Sequence, residues 1–456
     1  NGRRRQRQMC IRDRFKSVNW EVHSGKGHDH KNIYKLLKKA QVSKVPCLLN
    51  FKTTIGFGSP NKSAKASSHG SPLGSEEVKL TRSKLSWNEK PFQIPDKLLK
   101  IWRNSSTKNL QIYKKTKSIS HTTLSNKDID KLFNKIEIDF KDFKSDQATR
   151  KSSEAILHYF KKDHPILGGS ADLTGSNNTK GKEMSVMDSM NTSGQYIHYG
   201  VREHGMAAIM NGIAATKIYK TYSGTFLSFA DYMKPSLRLA ALMKINPIQV
   251  FTHDSIGLGE DGPTHQPIEQ INMLRLIPNS YVFRPCDLKE TIVCWREALK
   301  INDAPSFICL SRQNLPQISN KKLDSKKFKG AYVIYGPKIN NDITIIATGS
   351  EVSLAVNVAV RIRGDGIIAK VISMPSTSVF EKQSKTFKNN LLKSKSSETF
   401  VIEAGSTMYW NKYTKYENIF GLDNFGASAP GNEVFRKFGL TTKTISSKIV
   451  RKIKEK

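Results

Sequence analysis

The segment "GLGEDGPTHQP", Gly257–Pro267, concentrates ionisable side chains among glycines and prolines that favour turns. It holds Asp261 and His265, with Glu260 beside them, and His253 lies shortly before it. Histidine changes charge near neutral pH and carboxylates accept hydrogen bonds, so such a group can move protons to and from a bound molecule. Because loops carry functional sites more often than scaffolds do, the segment predicts a binding or catalytic loop.

Two further groups have more than one interpretation. Glu203, in "YGVREHGMAAIMNGIAA", stands at the first turn of an otherwise apolar helix. Either it stabilises the helix N-terminus, which favours an acid there, or it has a catalytic role. In "GTFLSFADYMK", Phe226, Phe229 and Tyr232 recur at helical spacing. Such an aromatic stripe either packs in a core or stacks on a planar ring.

The elements that must position these residues alternate between strand and helix from Gln147 onward, and alternation resumes after the lysine-rich segment near Lys321. This pattern is typical of α/β folds with doubly wound, mostly parallel sheets. Ligands of such sheets bind at the carboxyl ends of the strands. Four polar loops follow predicted strands at that edge: "GGSADLTGSNN", "HYGVREHG", "THDSIGLGEDGPTHQP" and "LSRQNLP".

The N-terminal region predicts a shorter βαβ unit, made of strand "NWEVH", helix "HKNIYKLLKKAQ" and strand "PCLLNFKT". Too few elements precede or surround it to cover a parallel sheet on both faces, so it is interpreted as the end of a domain. Residues 80–146 are polar and helical in places, which indicates a linker. Residues 1–14 resemble a translated adaptor and are interpreted as a non-native leader.

The composition limits the classes of protein. A chain of 456 residues with 38% hydrophobic residues predicts two or three folded domains. The formal net charge of +35 is compatible with an anionic partner, but most lysines are dispersed beside asparagine, serine and isoleucine, which is typical of a compositional bias. No apolar run approaches the ~20 residues of a membrane span.

The cysteines indicate a reducing compartment. The sequence contains five, none in a CxxC pair or in a metal-ligand spacing with histidine: Cys10, Cys47, Cys286, Cys294 and Cys309. Neither a zinc site nor a disulfide framework is therefore predicted. A cytoplasmic location fits this pattern best.

Together these segments resemble the transketolases, the family of thiamine-diphosphate-dependent ketol transferases, from about Asn19 to the C-terminus. The motifs that carry the resemblance are, in order, "KTTIGFGSPNK", "HGSPLG", "GGSADLTGSNNT", "YGVREHGMAAIMNGIA", "TFLSFADYMKPSLRLAALMK", "THDSIGLGEDGPTHQPIEQINMLR", "RPCD", "LSRQNLP", "ATGSEVSLA" and "VISMPSTSVFEKQ". The resemblance implies the end of a diphosphate-binding domain over 15–95, a linker over 96–145, a pyrimidine-binding domain over 146–318 and a C-terminal domain over 327–456.

The resemblance also implies an activity. A two-carbon ketol unit would pass from a ketose phosphate (xylulose 5-phosphate or sedoheptulose 7-phosphate) to an aldose phosphate (ribose 5-phosphate or glyceraldehyde 3-phosphate) in the pentose phosphate pathway. Thiamine diphosphate and Mg²⁺ are the implied cofactors. The family builds its active sites between two subunits, so a homodimer is implied, with no nucleic-acid or membrane partner.

The resemblance implies roles for the residues of this sequence that match the family's motifs. Glu203 matches the acid that hydrogen-bonds the aminopyrimidine ring of the cofactor, and it forms the implied catalytic set with His69 and His265. Phe229 matches the residue that stacks on that ring, Phe226 and Tyr232 complete the pocket, and the cofactor-binding set also includes His69 and Asp172.

Seven positions match the family's substrate-binding residues: His69, Arg150, Ser176, His253, Asp261, His265 and Arg312. Within this set, Asp261 matches the carboxylate that hydrogen-bonds a substrate hydroxyl. The far end of the substrate is a phosphate, which requires arginine and hydroxyl donors; Arg150, Ser176, His253 and Arg312 match that anion site. Glu260 is interpreted as structural.

One departure from the family concerns the metal. Its diphosphate domain carries a Gly-Asp-Gly motif followed by an asparagine, which hold Mg²⁺. Here the nearest match, "RGDGII" at Arg363, lies between a predicted helix and strand in the last domain and is interpreted as a turn. We therefore expect no metal ligand in this chain, the ligands lying in a missing N-terminal segment, and a truncated protein that is inactive alone.

Alternatives remain at this point. Among sister thiamine enzymes, "GEDGPTHQP", His253 and the arginine of "SRQNLP" favour sugar-phosphate ketol transfer over 1-deoxyxylulose-phosphate synthase, whereas dihydroxyacetone synthase stays open. A basic, non-catalytic nucleic-acid-binding protein is the alternative from another class. It predicts clustered lysine and arginine with exposed aromatic residues, whereas the aromatic residues here follow Gly224 in an apolar segment.

Overall fold

The protein is described by a computed structural model that covers residues 2–117, 124–319, 323, 327–395 and 398–455. The chain divides into two compact units, Asn1–Ile119 and Ser120–Lys456. The predicted α/β class with mostly parallel sheets is confirmed. None of the described helices is both long enough and apolar enough to cross a membrane.

The first unit contains the predicted βαβ arrangement. In chain order its elements are α1 (Gly2–Ser17), β1 (Glu21–Lys26), α2 (His30–Gln41), β2 (Cys47–Lys52), α3 (Ser75–Lys84) and α4 (Asp96–Lys117). Strands β1 and β2 pair in parallel, with Glu21 opposite Cys47. Helix α2 begins after Asp29, whose carboxylate accepts a hydrogen bond from the backbone amide of Asn32 and so caps the helix.

The loop after β2 is held by one acid on α3. Glu77 accepts hydrogen bonds from the Ser59 hydroxyl and from the backbone and side-chain amides of Asn61, the latter two at 2.8 and 2.9 Å. These bonds, the one from Ser59 foremost, lower the pKa of Glu77 to about 2. The loop ends in a short 3₁₀ turn (Ala66–Ser68), and His69 follows it with an exposed side chain.

The second unit is built around a six-stranded parallel sheet. In chain order its elements are α5 (Asn126–Asp139), α6 (Thr149–Leu157), β3 (Ile166–Ser170), α7 (Thr174–Asn177), β4 (Tyr196–His198), α8 (Glu203–Ala215), β5 (Lys220–Phe226), α9 (Ala230–Met243), β6 (Pro247–Thr252), α10 (Gln270–Arg275), β7 (Tyr281–Phe283), α11 (Leu288–Lys300) and β8 (Ser306–Leu310). The strand order is β4-β3-β5-β6-β8-β7, and every neighbouring pair is parallel.

Helices cover both faces of this sheet. Helices α5, α6 and α11 pack in one hydrophobic cluster, and α8, α9 and α10 pack in another. The side chains of β6 divide between them, since Val250 belongs to the first cluster and Phe251 to the second. The predicted doubly wound arrangement is therefore confirmed, and the carboxyl ends of its strands meet at one edge.

The C-terminal part of the same unit forms a second sheet. Its elements are β9 (Tyr332–Tyr335), β10 (Ile343–Ala347), α12 (Glu351–Arg363), β11 (Ala369–Ser373), α13 (Thr377–Glu381), α14 (Lys385–Leu392), β12 (Glu398–Ile402), β13 (Ile419–Phe420), α15 (Gly431–Lys437) and α16 (Thr442–Lys454). The strand order is β13-β12-β10-β11-β9, and only the edge strand β9 is antiparallel among the paired strands described. "RGDGII" lies in the turn between α12 and β11, as predicted.

A buried ionic network connects the two sheets of this unit. Arg284, which follows β7, donates to Asp254 at 2.9 Å and also pairs with Glu351 at the start of α12. Arg275 of α10 binds Glu403, which follows β12, through two hydrogen bonds of 2.7 Å. These side chains are at most 3% exposed. Because Asp254 adjoins His253, the network anchors the loop after β6 to the C-terminal sheet.

Candidate active site

Glu203 is the first residue of α8, which packs against β5. The residue before it, Arg202, occupies the N-cap position, and no side chain caps this helix. The Glu203 side chain is only 9% exposed, and its carboxylate receives no hydrogen bond and forms no ion pair within the described part of the chain. The carboxylate is therefore available to a ligand that supplies a hydrogen-bond donor.

An aromatic and imidazole cluster lies where β5 and β6 end. Phe226 closes β5 and stacks on Phe229 with 5.6 Å between ring centroids and 16° between ring planes. The His253 ring lies 3.7 Å from that of Phe226, and the His265 ring lies 5.5 Å from that of Phe229. Tyr232 adjoins Phe229 at 6.0 Å, although its side chain is 66% exposed. Five residues singled out in the sequence thus meet at the carboxyl edge of the sheet.

One detail of the aromatic pattern differs from the sequence interpretation. Phe226 belongs to a strand and Phe229 to the 3₁₀ turn Leu227–Phe229, whereas helical spacing had placed both on one helix with Tyr232. The turn brings the two phenylalanine rings together, so the wall they form does not depend on a helix. α9 begins only at Ala230.

The cationic end of the site combines Arg150 with Arg312. One terminal nitrogen of Arg150 donates to the backbone carbonyl of Ser176, while its buried Nε finds no partner among the described residues. Burial, and then the positive charge of Arg312, lower the pKa of Arg150. Arg312 itself is exposed. A guanidinium held in place with an unsatisfied N–H is suited to receive an anion.

The same charges act on His253. Its side chain is 3% exposed, and its Nδ1 lies 2.9 Å from the Thr252 hydroxyl. Burial contributes most, followed by the positive charges of Arg150, Arg312 and His265, and together they lower the pKa of His253 to about 3. The imidazole is therefore neutral at physiological pH and can either donate or accept one hydrogen bond at its free nitrogen.

Four residues that the sequence interpretation did not single out hold this end together. Thr252 donates to the Asn177 side-chain oxygen at 2.6 Å, which joins the end of β6 to α7. The Ser311 backbone amide donates to the Thr149 hydroxyl at 2.7 Å, which joins the end of β8 to the start of α6. Thr252, Asn177 and Ser311 fall inside polar motifs already noted, but only their contacts reveal a supporting role.

The segment that follows β6 has an irregular backbone at three residues. His253, Gly259 and Gly262 have φ values of 59°, 94° and 75°, a region that glycine adopts readily. The loop is fixed to the C-terminal part of the unit because Gln266 Nε2 donates to the backbone oxygens of Gly259 and Ala427, each at 2.9 Å. Glu260 and Asp261 are both exposed.

The remaining candidates lie elsewhere. Asp172 follows β3 with an exposed side chain and a φ of 60°. His69 belongs to the first unit, and its side chain is exposed. Ser176 contributes its backbone carbonyl to Arg150, and its own side chain is exposed.

Comparison with known proteins gives this geometry a context. Three family models match consecutive parts of the chain: "Transketolase, thiamine diphosphate binding domain" over residues 5–131, "Transketolase, pyrimidine binding domain" over 145–317 and "Transketolase-like TK C-terminal domain" over 330–441. A transketolase of Buchnera aphidicola subsp. Baizongia pistaciae is 41% identical over 465 aligned residues, covering 97% of this chain and 69% of that relative. The chain belongs to the transketolase family. Transketolase 2 of Escherichia coli is 40% identical and covers 95% of the chain.

Solved transketolases have the same fold. A Pichia stipitis transketolase in complex with sedoheptulose 7-phosphate superposes with a TM-score of 0.83 at 35% identity, over 97% of this chain and 69% of that one. The Campylobacter jejuni transketolase gives 0.82 at 38% identity, over 98% and 69%. The assignment as an enzyme of the transketolase class therefore stands on sequence and on fold.

The residues of this transketolase fit the pyrimidine end of thiamine diphosphate. The phenylalanine wall offers a flat apolar surface, and the unpaired Glu203 carboxylate offers an acceptor or, when protonated, a donor. The one Gly-Asp-Gly of the sequence, Gly364–Gly366, lies in the C-terminal part of the second unit. Asp365 stands in a turn there, with a carboxylate oxygen 4.0 Å from the Lys454 ammonium group.

Proposed function

We propose that this transketolase transfers a two-carbon ketol unit from xylulose 5-phosphate or sedoheptulose 7-phosphate to ribose 5-phosphate or glyceraldehyde 3-phosphate, in the pentose phosphate pathway. The observation that carries the proposal is the cluster at the ends of β5 and β6, where two imidazoles and two phenyl rings adjoin. The unsatisfied Nε of Arg150 supplies an anion-binding group in the same unit. Apolar stacking, proton transfer and phosphate binding are the three requirements of ketol transfer between sugar phosphates.

The proposed cofactors are thiamine diphosphate and Mg²⁺. Bound thiamine diphosphate supplies a carbanion that cleaves and forms carbon–carbon bonds next to a carbonyl. Phe229 and Phe226 would receive its pyrimidine ring, and Tyr232 and Asp172 would border it. Glu203 would hydrogen-bond the ring nitrogen and hold a proton there. The Glu203 carboxylate has no hydrogen-bond donor among the described residues, so it is available for that contact.

The substrate hydroxyls and reacting carbons would face His265 and Asp261. The catalytic role proposed for His69, in the first unit, rests on its match to the family's motif. His265 is half-buried, and its Nδ1 lies 2.9 Å from the Thr264 hydroxyl, which leaves Nε2 for a substrate. Each step of ketol transfer moves a proton to or from a sugar oxygen, and imidazole does this near neutral pH. Asp261 is exposed on the rim loop, where a carboxylate can accept a hydrogen bond from a sugar hydroxyl.

The phosphate would bind to Arg150, Arg312, Ser176 and His253. Arginine suits a phosphate because its planar N–H groups can bind two oxygens at once. The neutral His253 would donate a single hydrogen bond, while the two guanidinium groups supply the charge. We expect sugar phosphates as partners because of these two arginines and not because of the dispersed excess of lysine. We expect no nucleic-acid or membrane partner.

We propose a homodimer as the working assembly. Helix α9 exposes Leu239, Leu242 and Met243 on one side, at 48%, 69% and 47% of their surface, and Ile209 of the adjoining α8 is 50% exposed. Large apolar side chains grouped on adjacent helices are typical of a surface that a second chain covers.

We place the protein in the cytoplasm, because its five cysteines are free thiols, which a reducing compartment preserves.

The function is tested by comparing Glu203→Gln with the unsubstituted protein in a ketol-transfer assay from xylulose 5-phosphate to ribose 5-phosphate. Both are assayed with thiamine diphosphate and Mg²⁺, alone and as fusions with the part of the Buchnera relative that this chain does not cover. We expect Glu203→Gln to lower kcat by about 100- to 10,000-fold, the usual contribution of a positioned acid or base.

Glu260→Gln is the matched control, because Glu260 is also a glutamate at the edge of the sheet but is exposed. We expect it to leave kcat unchanged. Full activity of Glu203→Gln, or equal losses in the two variants, would contradict the proposed role of Glu203.

A further inference from the structure

Three potential metal ligands meet on one face of the strand pair in the first unit. Glu21 and His23 are two residues apart on β1, so their side chains project from the same face. Cys47 is the first residue of β2 and stands directly opposite Glu21 in the parallel register. Side chains of paired residues also share a face, so the fold brings together three residues that the sequence separates.

The distances between the ligand atoms are short. His23 Nε2 lies 2.7 Å from Glu21 Oε1. With Cys47 Sγ included, the three atoms all lie within 4.8 Å of one another. The side chains of His23 and Glu21 are 13% and 34% exposed, so the group is partly shielded and yet accessible to an ion. Within the described part of the chain, it is the one group of three such ligand atoms.

Helix α2 and its following turn lie over this group. The odd-numbered face of β1 is the one that α2 covers, since a side chain at Gly25 would meet Asn32 and Leu36 of the helix. The Lys39 ammonium group, in the last turn of α2, lies 4.0 Å from Glu21 Oε1.

We propose that Glu21, His23 and Cys47 form a binding site for a thiophilic divalent cation of the Zn²⁺ class. A thiolate, an imidazole and a carboxylate are ligands that Zn²⁺ accepts, whereas Mg²⁺ and Ca²⁺ require oxygen alone. Tetrahedral bonds of about 2.0–2.3 Å place neighbouring ligand atoms about 3.3–3.7 Å apart. The His23–Glu21 pair reaches that separation by small side-chain rotations, and a water molecule would take the fourth position.

Binding exchanges protons for the ion. The Cys47 S–H bond breaks as the Zn–S bond forms, and the thiol proton passes to solvent. His23 binds the ion through the lone pair of Nε2, so a neutral imidazole carries its single proton on Nδ1 and loses none. The bound ion would then link the first residue of β1 to the first residue of β2 and stabilise a strand pair that has no third strand in the described structure.

The chain spacing explains why the sequence did not indicate this site. Metal sites are recognised from ligands a few residues apart, such as CxxC pairs, whereas Cys47 comes from the neighbouring strand. The proposed ion is separate from the Mg²⁺ of the proposed cofactor, since its ligands include sulfur. It has a structural role and is independent of the activity proposed above.

Co²⁺ is the probe, because a cobalt–thiolate bond gives a charge-transfer absorption band in the near ultraviolet. The full chain is titrated with Co²⁺ alone, and then with Zn²⁺ to displace it. We expect one equivalent of Co²⁺ to produce the band, Zn²⁺ to abolish it, and Zn²⁺ to raise the Tm. Absence of the band in the unsubstituted protein would overturn the proposal.

Cys47→Ser should abolish the band, and His23→Gln should weaken Co²⁺ binding by about 100-fold or more, since even a lost outer-shell partner costs 10- to 100-fold. Cys10→Ser is the matched control, because Cys10 is an exposed cysteine of the same unit, and it should bind Co²⁺ as the unsubstituted protein does. Far-ultraviolet circular dichroism verifies that each variant is folded. A band that persists in Cys47→Ser, disappears in Cys10→Ser, or is unaffected by His23→Gln would contradict the site.

Discussion

His253 and His265 are neighbours in the candidate site, but they differ in burial and in the charges around them. His253 is enclosed beside two arginines, which with burial lower its pKa to about 3. Since its pKa lies below the ordinary value near 6.5, the protonated form is the disfavoured one, and His253 stays neutral from pH 8 down to about pH 4. His265 is half-buried, and the proton exchange proposed for it stays a prediction.

This difference is measurable by NMR of protein labelled at the histidine ring Cε1. We expect one histidine signal to keep a constant chemical shift between pH 8 and pH 5, and His253→Asn to remove that signal. Asparagine is the replacement because it tolerates the positive φ of this position. Added inorganic phosphate should raise the pKa of His253, because an anion offsets the positive charge of the arginines. A His253 signal with a titration midpoint at pH 6 or above would contradict the account.

At this scale the sequence predicts residue types better than contacts. His253, His265, Phe226 and Phe229 were all singled out from motifs, and the structure brings them together. The unsatisfied Nε of Arg150 could not be predicted, because it depends on burial by elements distant in sequence. The functional roles of these residues, and those of His69, Asp172 and Asp261, remain predictions.

The ionic network around Arg284 determines how the loop after β6 is held. Arg284 pairs with Asp254 on that loop and with Glu351 at the start of α12, and it also donates to the Thr348 carbonyl at 3.1 Å. Glu403 approaches it at 3.7 Å. All these acids are buried, so removing the arginine would leave negative charges without a partner.

We therefore expect Arg284→Met to lower the free energy of unfolding by about 3–5 kcal/mol, the cost of breaking a buried ion pair from one side. Arg361→Met is the matched control, since Arg361 is exposed on α12, and its effect should stay within about 0.5 kcal/mol. Urea-induced unfolding followed by fluorescence measures both. Equal effects of the two substitutions would show that the network does not stabilise the fold.

Element prediction succeeded where hydrophobic periodicity is strong. The predicted helix "HKNIYKLLKKAQ" coincides with α2. The strand β5 was missed, although it lies in the interior of the six-stranded sheet. Its sequence, "KTYSGTF", has polar residues on both faces and a glycine in the middle, so it shows neither apolar alternation nor an apolar run. Gly224 is required there because a larger residue would meet Thr179.

The region interpreted as a linker also contains a packed element. Ile129, Phe133 and Ile136 of α5 are buried in the cluster that covers one face of the six-stranded sheet. Their i, i+4, i+7 spacing was present in the sequence, but the polar residues between them concealed it. Arg296 of α11 fixes α5 further by donating to Asp130 at 2.7 Å.

The exposed apolar side of α9 is the surface through which we propose that two chains form a dimer. If a second copy covers it, a charge placed there should separate the subunits, because an unpaired buried charge is costly. We expect the unsubstituted protein to have the mass of a dimer in sedimentation velocity, and Leu242→Glu to have the mass of a monomer. Ile339→Glu is the matched control, because Ile339 is 75% exposed but lies in the C-terminal part of the chain, away from α9. A dimer that persists in Leu242→Glu, or a monomeric unsubstituted protein, would contradict this assignment.

The overall architecture was largely predictable because alternating strands and helices admit few arrangements. From that alternation follow the doubly wound sheet and the helices that cover both of its faces. The position of the polar loops at the strand ends follows as well. The antiparallel edge strand β9 and the ionic network between the sheets do not, since strand direction and buried pairing depend on long-range contacts.

The central claim, that an intact two-carbon unit passes between sugar phosphates, is tested most directly by isotope tracing. Xylulose 5-phosphate carrying ¹³C at carbons 1 and 2 is incubated with ribose 5-phosphate, thiamine diphosphate, Mg²⁺ and the fusion of this chain with the uncovered part of the Buchnera relative. We predict sedoheptulose 7-phosphate with both labels adjacent at carbons 1 and 2, seen as a ¹³C–¹³C coupling by NMR, together with unlabelled glyceraldehyde 3-phosphate. A seven-carbon product without the coupled pair, or no seven-carbon product, would contradict the account.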